Sequence, residues 1–289
     1  MDDTAELALD IRAELGEGPL WDAARGCLWW VDILGAAVHA FDPATGTDRA
    51  IPVGEHVGTV VTRREGGLLL ALRSGLAACD PGSGKLERWS DPEAGRPGIR
   101  FNDGKCDPQG RFWAGTMAYD IAPGAGNLWR LDPDRSLHHM LAAVTISNGV
   151  AWDAERGVFY HIDSPTRSVS AFDFDAATGG IANRRTVIAC RPEDGFPDGC
   201  VLDAEGFLWV AHWGGGQVVR WDTRSGRAVQ RIRVPVDQPS AVAFAGTRLF
   251  ITSARTGMSH ERLAAQPQAG GIFTAETGVP GAPVYAFAG

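Results

Sequence analysis

The sequence predicts an all-β fold, a six-bladed β-propeller of four-stranded antiparallel blades around a central channel. Three observations predict it. The 289 residues include 37 Gly, 17 Pro and 10 Trp, with hydrophobic residues at 44% and charged ones at 21%, the composition of many short strands separated by turns. A short apolar strand recurs six times along the chain. No stretch sustains a helical period.

The recurring strand is Leu28-Trp29-Trp30-Val31, Leu68-Leu69-Leu70-Ala71, Phe112-Trp113-Ala114, Val158-Phe159-Tyr160-His161, Leu208-Trp209-Val210 and Leu249-Phe250-Ile251. Counted on Trp30, Leu70, Trp113, Tyr160, Trp209 and Phe250, the steps are 40, 43, 47, 49 and 41 residues, the length of a four-stranded blade. Each early unit then enters a further strand and an acidic turn, as in Val38-His39-Ala40-Phe41-Asp42-Pro43 and Leu128-Trp129-Arg130-Leu131-Asp132-Pro133. Gly82-Ser83-Gly84-Lys85-Leu86 lacks the first Gly and the final Ser/Thr of a phosphate-binding loop, so it is expected to be a hairpin turn. Blades that pack on their neighbours leave no place for a linker, so residues 1–289 are expected to form one domain. Ring closure calls for strands near Leu7 to Ile11 and Val284 to Phe287, in or beside the same blade.

The formal net charge of -8 leaves no positive surplus for phosphates and argues against a nucleic-acid partner. The acidic start, Met1-Asp2-Asp3-Thr4-Ala5-Glu6, lacks the regions of a signal peptide, and no apolar run approaches a membrane span. The expectation is a cytoplasmic protein without a membrane partner. Cys27, Cys79, Cys106, Cys190 and Cys200 are odd in number and scattered, which points to small buried hydrophobes.

A second repeat carries the chemistry. Asp198 precedes Asp203, Asn148 precedes Asp153, Asn102 precedes Asp107 and Glu17 precedes Asp22, each by five residues. Each is followed by Gly, directly or after one residue, and then by a short strand. That address is the start of a blade's innermost strand, where equivalent points converge on the channel mouth. Asn-Gly and Asp-Gly are ordinary turn dipeptides, but Glu17 has no such talent. An all-oxygen set of Glu17, Asn148 and Asp198, two of them anionic, suits one hard divalent ion such as Ca, Mg or Mn, with Zn and Fe left open. Arg100 and Asn102, two apart in an extended segment, point to the same side and suit the oxygens of a polar substrate. His161 and His212 approach the channel without sharing the address. Trp213, Tyr119 and Phe196 are candidates for the pocket wall. No G-x-S-x-G elbow is present, and His260-Glu261 lacks the second His of a zincin.

Leu15-Gly16-Glu17-Gly18-Pro19, Arg100-Phe101-Asn102-Asp103-Gly104-Lys105, Gly115-Thr116-Met117, Ile146-Ser147-Asn148-Gly149, Tyr160-His161-Ile162-Asp163-Ser164, Pro197-Asp198-Gly199 and Ala269-Gly270-Gly271-Ile272-Phe273 together resemble the SMP-30/gluconolactonase/regucalcin family, from about residue 14 onward. The resemblance implies a six-bladed hydrolase of sugar lactones with one divalent ion. It implies Glu17, Asn148 and Asp198 as metal ligands, Asp198 also as general base, and Arg100 and Asn102 as contacts to sugar hydroxyls. Animal regucalcins place a substrate-contacting Glu shortly after Gly-Thr-Met; here Asp120 takes that place with a shorter reach. In the implied reaction the ion polarises the lactone carbonyl while Asp198 takes a proton from water, or a hydroxide held on the ion attacks instead. Two other readings stand beside it: a phosphotriesterase or arylesterase on the same scaffold, and a non-catalytic propeller that binds calcium or a protein partner.

Overall fold

The computed structural model describes residues 3–289 and has six antiparallel sheets arranged as a six-bladed β-propeller. In chain order the innermost strands are Gly16–Asp22, Val57–Thr62, Ile99–Cys106, Ser147–Asp153, Phe196–Leu202 and Pro239–Ala245, which define blades 1 to 6. Each of the first five continues outward through three further antiparallel strands. Blade 6 takes Arg248–Ser253 and Ile272–Glu276 from the C-terminal side, and its outermost strand is the N-terminal segment Glu6–Leu9, with Leu7 opposite Phe273. Asp3–Thr4 adds a short parallel edge to blade 5.

The expectation for Val284 to Phe287 needs correcting. These residues join no sheet. The stretch from Pro280 to Gly289 runs across the lower mouth of the channel, where Ala282 donates to the Leu202 carbonyl, Phe287 to that of Thr62 and Ala288 to that of Gly110. The physical reason is Pro283 and the absence of an open edge: Glu6–Leu9 already occupies the outer side of Ile272–Glu276.

Apolar clusters fill the spaces between neighbouring blades. Trp113, Val150, Trp152 and Phe159 join blades 3 and 4, while Trp30, Phe41, Ala243 and Phe250 join blades 6 and 1. The acid of the second turn anchors a tryptophan in three blades, where the indole N–H of Trp29, Trp113 or Trp209 donates to Asp22, Asp107 or Asp203 at 3.1, 3.0 and 2.9 Å. This pairing shifts the expected register in two blades. Trp29 pairs with Leu20 and Leu69 with Val61, at the level where Trp113 meets Lys105 and Trp209 meets Val201. The repeat therefore runs through Trp29 and Leu69, one residue before Trp30 and Leu70.

Gly82–Lys85 closes the hairpin between Gly75–Cys79 and Leu86–Ser90, with Gly84 donating to the Asp80 carbonyl. The one α-helix among the described residues, His260–Ala265, was not anticipated; Ser259 caps it by accepting from the Arg262 N–H. No helix among the described residues is long and apolar enough to cross a membrane. All five cysteines are free and buried.

Candidate active site at the channel mouth

The ladder between the first and second strands breaks once in every blade, always near the start of the inner strand. The breaks fall between Glu17 and Leu20, Val57 and Thr59, Phe101 and Gly104, Ser147 and Val150, Pro197 and Cys200, and Pro239 and Val242. Such bulges re-aim side chains. At this one address stand Glu17, Gly58, Asn102, Asn148, Asp198 and Ser240, the four expected residues plus two small ones. Glu17, Asn102, Asn148 and Asp198 are all buried.

The glycines that follow have a spatial cause. A Cβ on Gly149 would lie 2.6 Å from the Asp198 carbonyl, and one on Gly199 would lie 2.7 Å from Ala241 Cα. In blades 4 and 5 the bulge rests on the next blade, so at Gly149 and Gly199 only Gly fits.

A chain of hydrogen bonds orients the amides. Asn148 donates through Nδ2 to Ser164 Oγ at 2.7 Å, which turns its Oδ1 to the channel; Ser164 in turn donates to the Pro197 carbonyl at 2.6 Å. Asn102 Nδ2 donates to Asn148 Oδ1 at 2.7 Å and to the Ser147 carbonyl at 3.0 Å. Its Oδ1 accepts from Arg100 Nη1 at 2.7 Å. Both Asn102 donor hydrogens are thereby committed, and it retains acceptor capacity only.

Asp103 was missed as a site residue. It is 3% exposed and sits one step below Asn102, where its Oδ1 accepts from the Gly104 N–H at 2.7 Å and its Oδ2 has no partner. The signal was available: in Asn102-Asp103-Gly104 alone, a charged residue stands where the other three segments have Gly. Lys105 reaches the same layer and donates to the Cys200 carbonyl.

Three buried carboxylates therefore face one guanidinium and one ammonium. Burial, aided by the Asp103 charge, pushes Glu17 up to about 8, against the pull of the Gly18 N–H, Arg100 and Lys105. Burial and the charges of Glu17 and Asp103 hold Asp198 well above the usual carboxylate range. Asp103 is raised by burial, with Lys105 opposing. Asp198 Oδ1 is buried without a hydrogen-bond partner. An orphaned carboxylate oxygen and mutually repelling carboxylates are what a divalent cation relieves, so the donor set fits such an ion. Among the described residues no group of three or more His, Cys, Asp or Glu side chains converges tightly enough to hold a metal alone, so the fit depends on the Asn148 amide oxygen.

Of the other expected residues, Asp120 is exposed, and its Oδ1 accepts from the Ala122 N–H at 3.1 Å within its own turn. Tyr119 is the neighbour that reaches the site: its ring lies 5.9 Å from the Arg100 guanidinium carbon, and its hydroxyl is 2.7 Å from His56 Nδ1. Phe196 is 37% exposed at the rim, with the Arg167 guanidinium 3.7 Å above its ring; Trp213 is half-buried. His161 and His212 are buried. His161 Nε2 meets Ser147 Oγ at 3.0 Å, and His212 Nε2 accepts from the Trp221 indole at 3.4 Å. Below the site lies a mostly apolar cavity of about 70 Å³, lined by Pro19, Val150, Val201 and Val242 and, from the C-terminal stretch, by Ala282–Tyr285.

Residues 15–255 match the family model described as the SMP-30/Gluconolactonase/LRE-like region. The chain is 40% identical to regucalcin of Gallus gallus over 287 residues, 96% of each chain. It is 37% identical to a Bacillus subtilis (strain 168) protein provisionally named sugar lactone lactonase, over 99% of each. Among solved structures it superposes on a calcium-binding protein, regucalcin, from Agrobacterium tumefaciens with a TM-score of 0.94 and 30% identity, covering 99% of this chain and 98% of that one.

Proposed function

The chain belongs to the SMP-30/gluconolactonase/LRE-like family, and from that premise we propose that it hydrolyses sugar lactones, aldonolactones such as gluconolactone or a pentonolactone, to aldonic acids with one divalent metal ion. The observation that carries this reading is the convergence of Glu17, Asn148 and Asp198 at one bulge address, with Asp198 Oδ1 left without a partner.

Glu17, Asn148 and Asp198 would hold the ion, with Ca, Mg, Mn, Zn and Fe all compatible with the donors. When bound, the ion supplies Lewis acidity toward the lactone carbonyl and offsets the negative charge that develops there. Asp198 takes a proton from the attacking water as general base. The water oxygen bonds to the carbonyl carbon, the ring C–O bond breaks, and the proton passes to the departing ring oxygen, giving a hydroxy acid. Arg100 has Nη1 committed to the Phe101 carbonyl and Asn102, so its remaining N–H groups face the sugar hydroxyls. Asn102 holds Arg100 and Asn148 in register and offers a lone pair. Asp120, exposed on the turn next to Tyr119, would offer its carboxylate to a sugar hydroxyl.

Acid release from gluconolactone and a pentonolactone, followed before and after chelation and with Asp198→Asn, tests the reading. Turnover is expected to disappear on chelation, to return with added ion, and to fall by at least ~100-fold in the variant. Turnover that survives both treatments sinks the mechanism. A second reading, calcium binding without catalysis, draws on the description of the Agrobacterium relative as calcium-binding; calcium-dependent stabilisation with no lactone turnover would favour it.

A further inference from the structure

Among the described residues six large hydrophobic side chains are notably exposed, and Tyr119 and Ile121 are two of them, at 40% and 50%. Both lie on the turn that follows the second strand of blade 3, on the rim above Arg100. The turn is held in a costly shape. Ile121 has φ +58°, a left-handed conformation that a β-branched residue adopts only when its surroundings impose it.

What imposes it comes from several elements. The Ile121 N–H donates to the Ala118 carbonyl at 3.1 Å and the Tyr119 N–H to the Gly98 carbonyl at 2.9 Å. Asp120 accepts from Ala122. Arg96, anchored on buried Glu93, donates through Nη2 to the Ala125 carbonyl at 2.6 Å. Tyr119 adds the tie to another blade: its hydroxyl meets His56, two residues before the channel address of blade 2. His56 is itself fixed, since its carbonyl accepts from the Arg73 N–H at 2.7 Å and the adjacent Glu55 is bonded to Ser74 and Arg88.

The Tyr119 ring thus stands as a fixed, half-open panel between blades 2 and 3. One edge is pinned, the Arg100 guanidinium carbon lies 5.9 Å from the ring centre, and the residue is 40% exposed. A scaffold stores strain where a side chain must be aimed, and the side chain aimed here is aromatic, between Arg100 and His56. Flat aromatic faces suit the C–H faces of sugars and set a hard limit to length.

We propose that Tyr119, held by His56, is a specificity-determining residue that forms the end wall of the substrate pocket and limits the exocyclic carbon chain of the lactone. This rests on the lactonase reading above. One carbon more or less against such a wall changes kcat/KM by about tenfold or more.

The test is the ratio of kcat/KM for glucono-1,4-lactone, with two exocyclic carbons, to that for arabinono-1,4-lactone, with one, in metal-supplemented protein. Tyr119→Ala is expected to raise the ratio about tenfold toward the six-carbon substrate, mostly through KM for gluconolactone. Tyr119→Phe keeps the ring but loses the hydroxyl that meets His56, so it is expected to shift the ratio only part of the way. His56→Ala releases the pin and is expected to shift the ratio part of the way. A merely structural role for Tyr119 would lower both activities together and leave the ratio fixed. A ratio unchanged in Tyr119→Ala, with turnover retained, overturns the wall and leaves the lactonase reading standing. Absence of lactone turnover in the wild-type protein overturns both.

Discussion

Two buried histidines bracket the site without touching its chemistry, and they set a limit on how the protein tolerates acid. His161 is held down to about 3 by burial, with Arg184 adding to it, and His212 to about 4, where burial outweighs Asp194. Both lie below the ordinary 6.5, so the unfolded chain takes up protons below about pH 6.5 that the folded chain refuses. Stability therefore falls as pH drops from about 6.5 toward 4, by roughly 2 kcal/mol per histidine at pH 5. Urea melts at pH 7 and pH 5 on wild type and His161→Gln isolate one of the two. The variant is expected to lose about 2 kcal/mol less on acidification than the wild type, because Gln keeps a polar atom near Ser147 Oγ and has no proton to refuse. Equal losses in the two proteins would mean that His161 titrates normally. Asp103 gives the opposite lesson about single residues. Its buried, partnerless Oδ2 sits inside a bulge, where the two-residue alternation of a strand fails. Alternation from Asn102 would have turned it away from the channel.

At the scale of the strand, the bulge is the device that makes six similar hairpins into one site, and in blades 4 and 5 the residue after the address lies so close to the next blade that only Gly fits. Gly149→Ala adds a Cβ that must displace the Asp198 carbonyl or Cys200 Sγ, each within 2.7 Å. Overpacking of this kind costs about 1–3 kcal/mol. Because the atoms displaced belong to the strand that carries Asp198, the variant is expected to bind calcium more weakly as well as to melt earlier. Gly98→Ala, whose Cβ meets nothing within 4 Å, serves as the control in thermal melts and calcium titrations. A Gly149→Ala protein that binds calcium like wild type would show that the bulges do not aim the ligands. The five-residue spacing made Glu17, Asn102, Asn148 and Asp198 legible in the sequence because Asp22, Asp107 and Asp203 are fixed by the indoles of Trp29, Trp113 and Trp209, and Asp153 by Arg156. Blades 2 and 6 were silent for the same reason: Arg63 and Ala245 stand where that acid would be. Adjacent Trp29 and Trp30 made the register of blade 1 ambiguous by one residue, which only the hydrogen-bonded ladder resolves. Whether Tyr119 or Asp120 faces the site was not legible, since a turn has no period to read.

At the scale of the molecule, a ring of blades is only as stable as the joint between its first and last members. That joint is the outermost strand of blade 6, where Glu6–Leu9 pairs with Ile272–Glu276, reinforced by the Ala13 N–H donating to the Gly270 carbonyl at 2.9 Å and by the Ala5 N–H to that of Arg233 at 2.8 Å. The C-terminal residues do something else, since Ala282, Phe287 and Ala288 tie blades 5, 2 and 3 together beneath the channel. Removing residues 1–10 strips the N-terminal strand from blade 6 and leaves the edge of Ile272–Glu276 open. It also uncovers apolar surface around Ala5 and Phe273, which belong to one buried cluster. Each lost backbone hydrogen bond weakens the fold by about 1 kcal/mol net, and the exposed apolar area adds to that. The truncated chain is therefore expected to melt ~5 °C or more below the full chain and to associate through its open edge. A synthetic peptide of residues 3–11 added in excess should recover part of the loss by refilling that edge, because a ligand that binds only the folded form stabilises it. A truncated chain that melts with the full-length protein would locate the closure elsewhere, in the C-terminal strap beneath the channel.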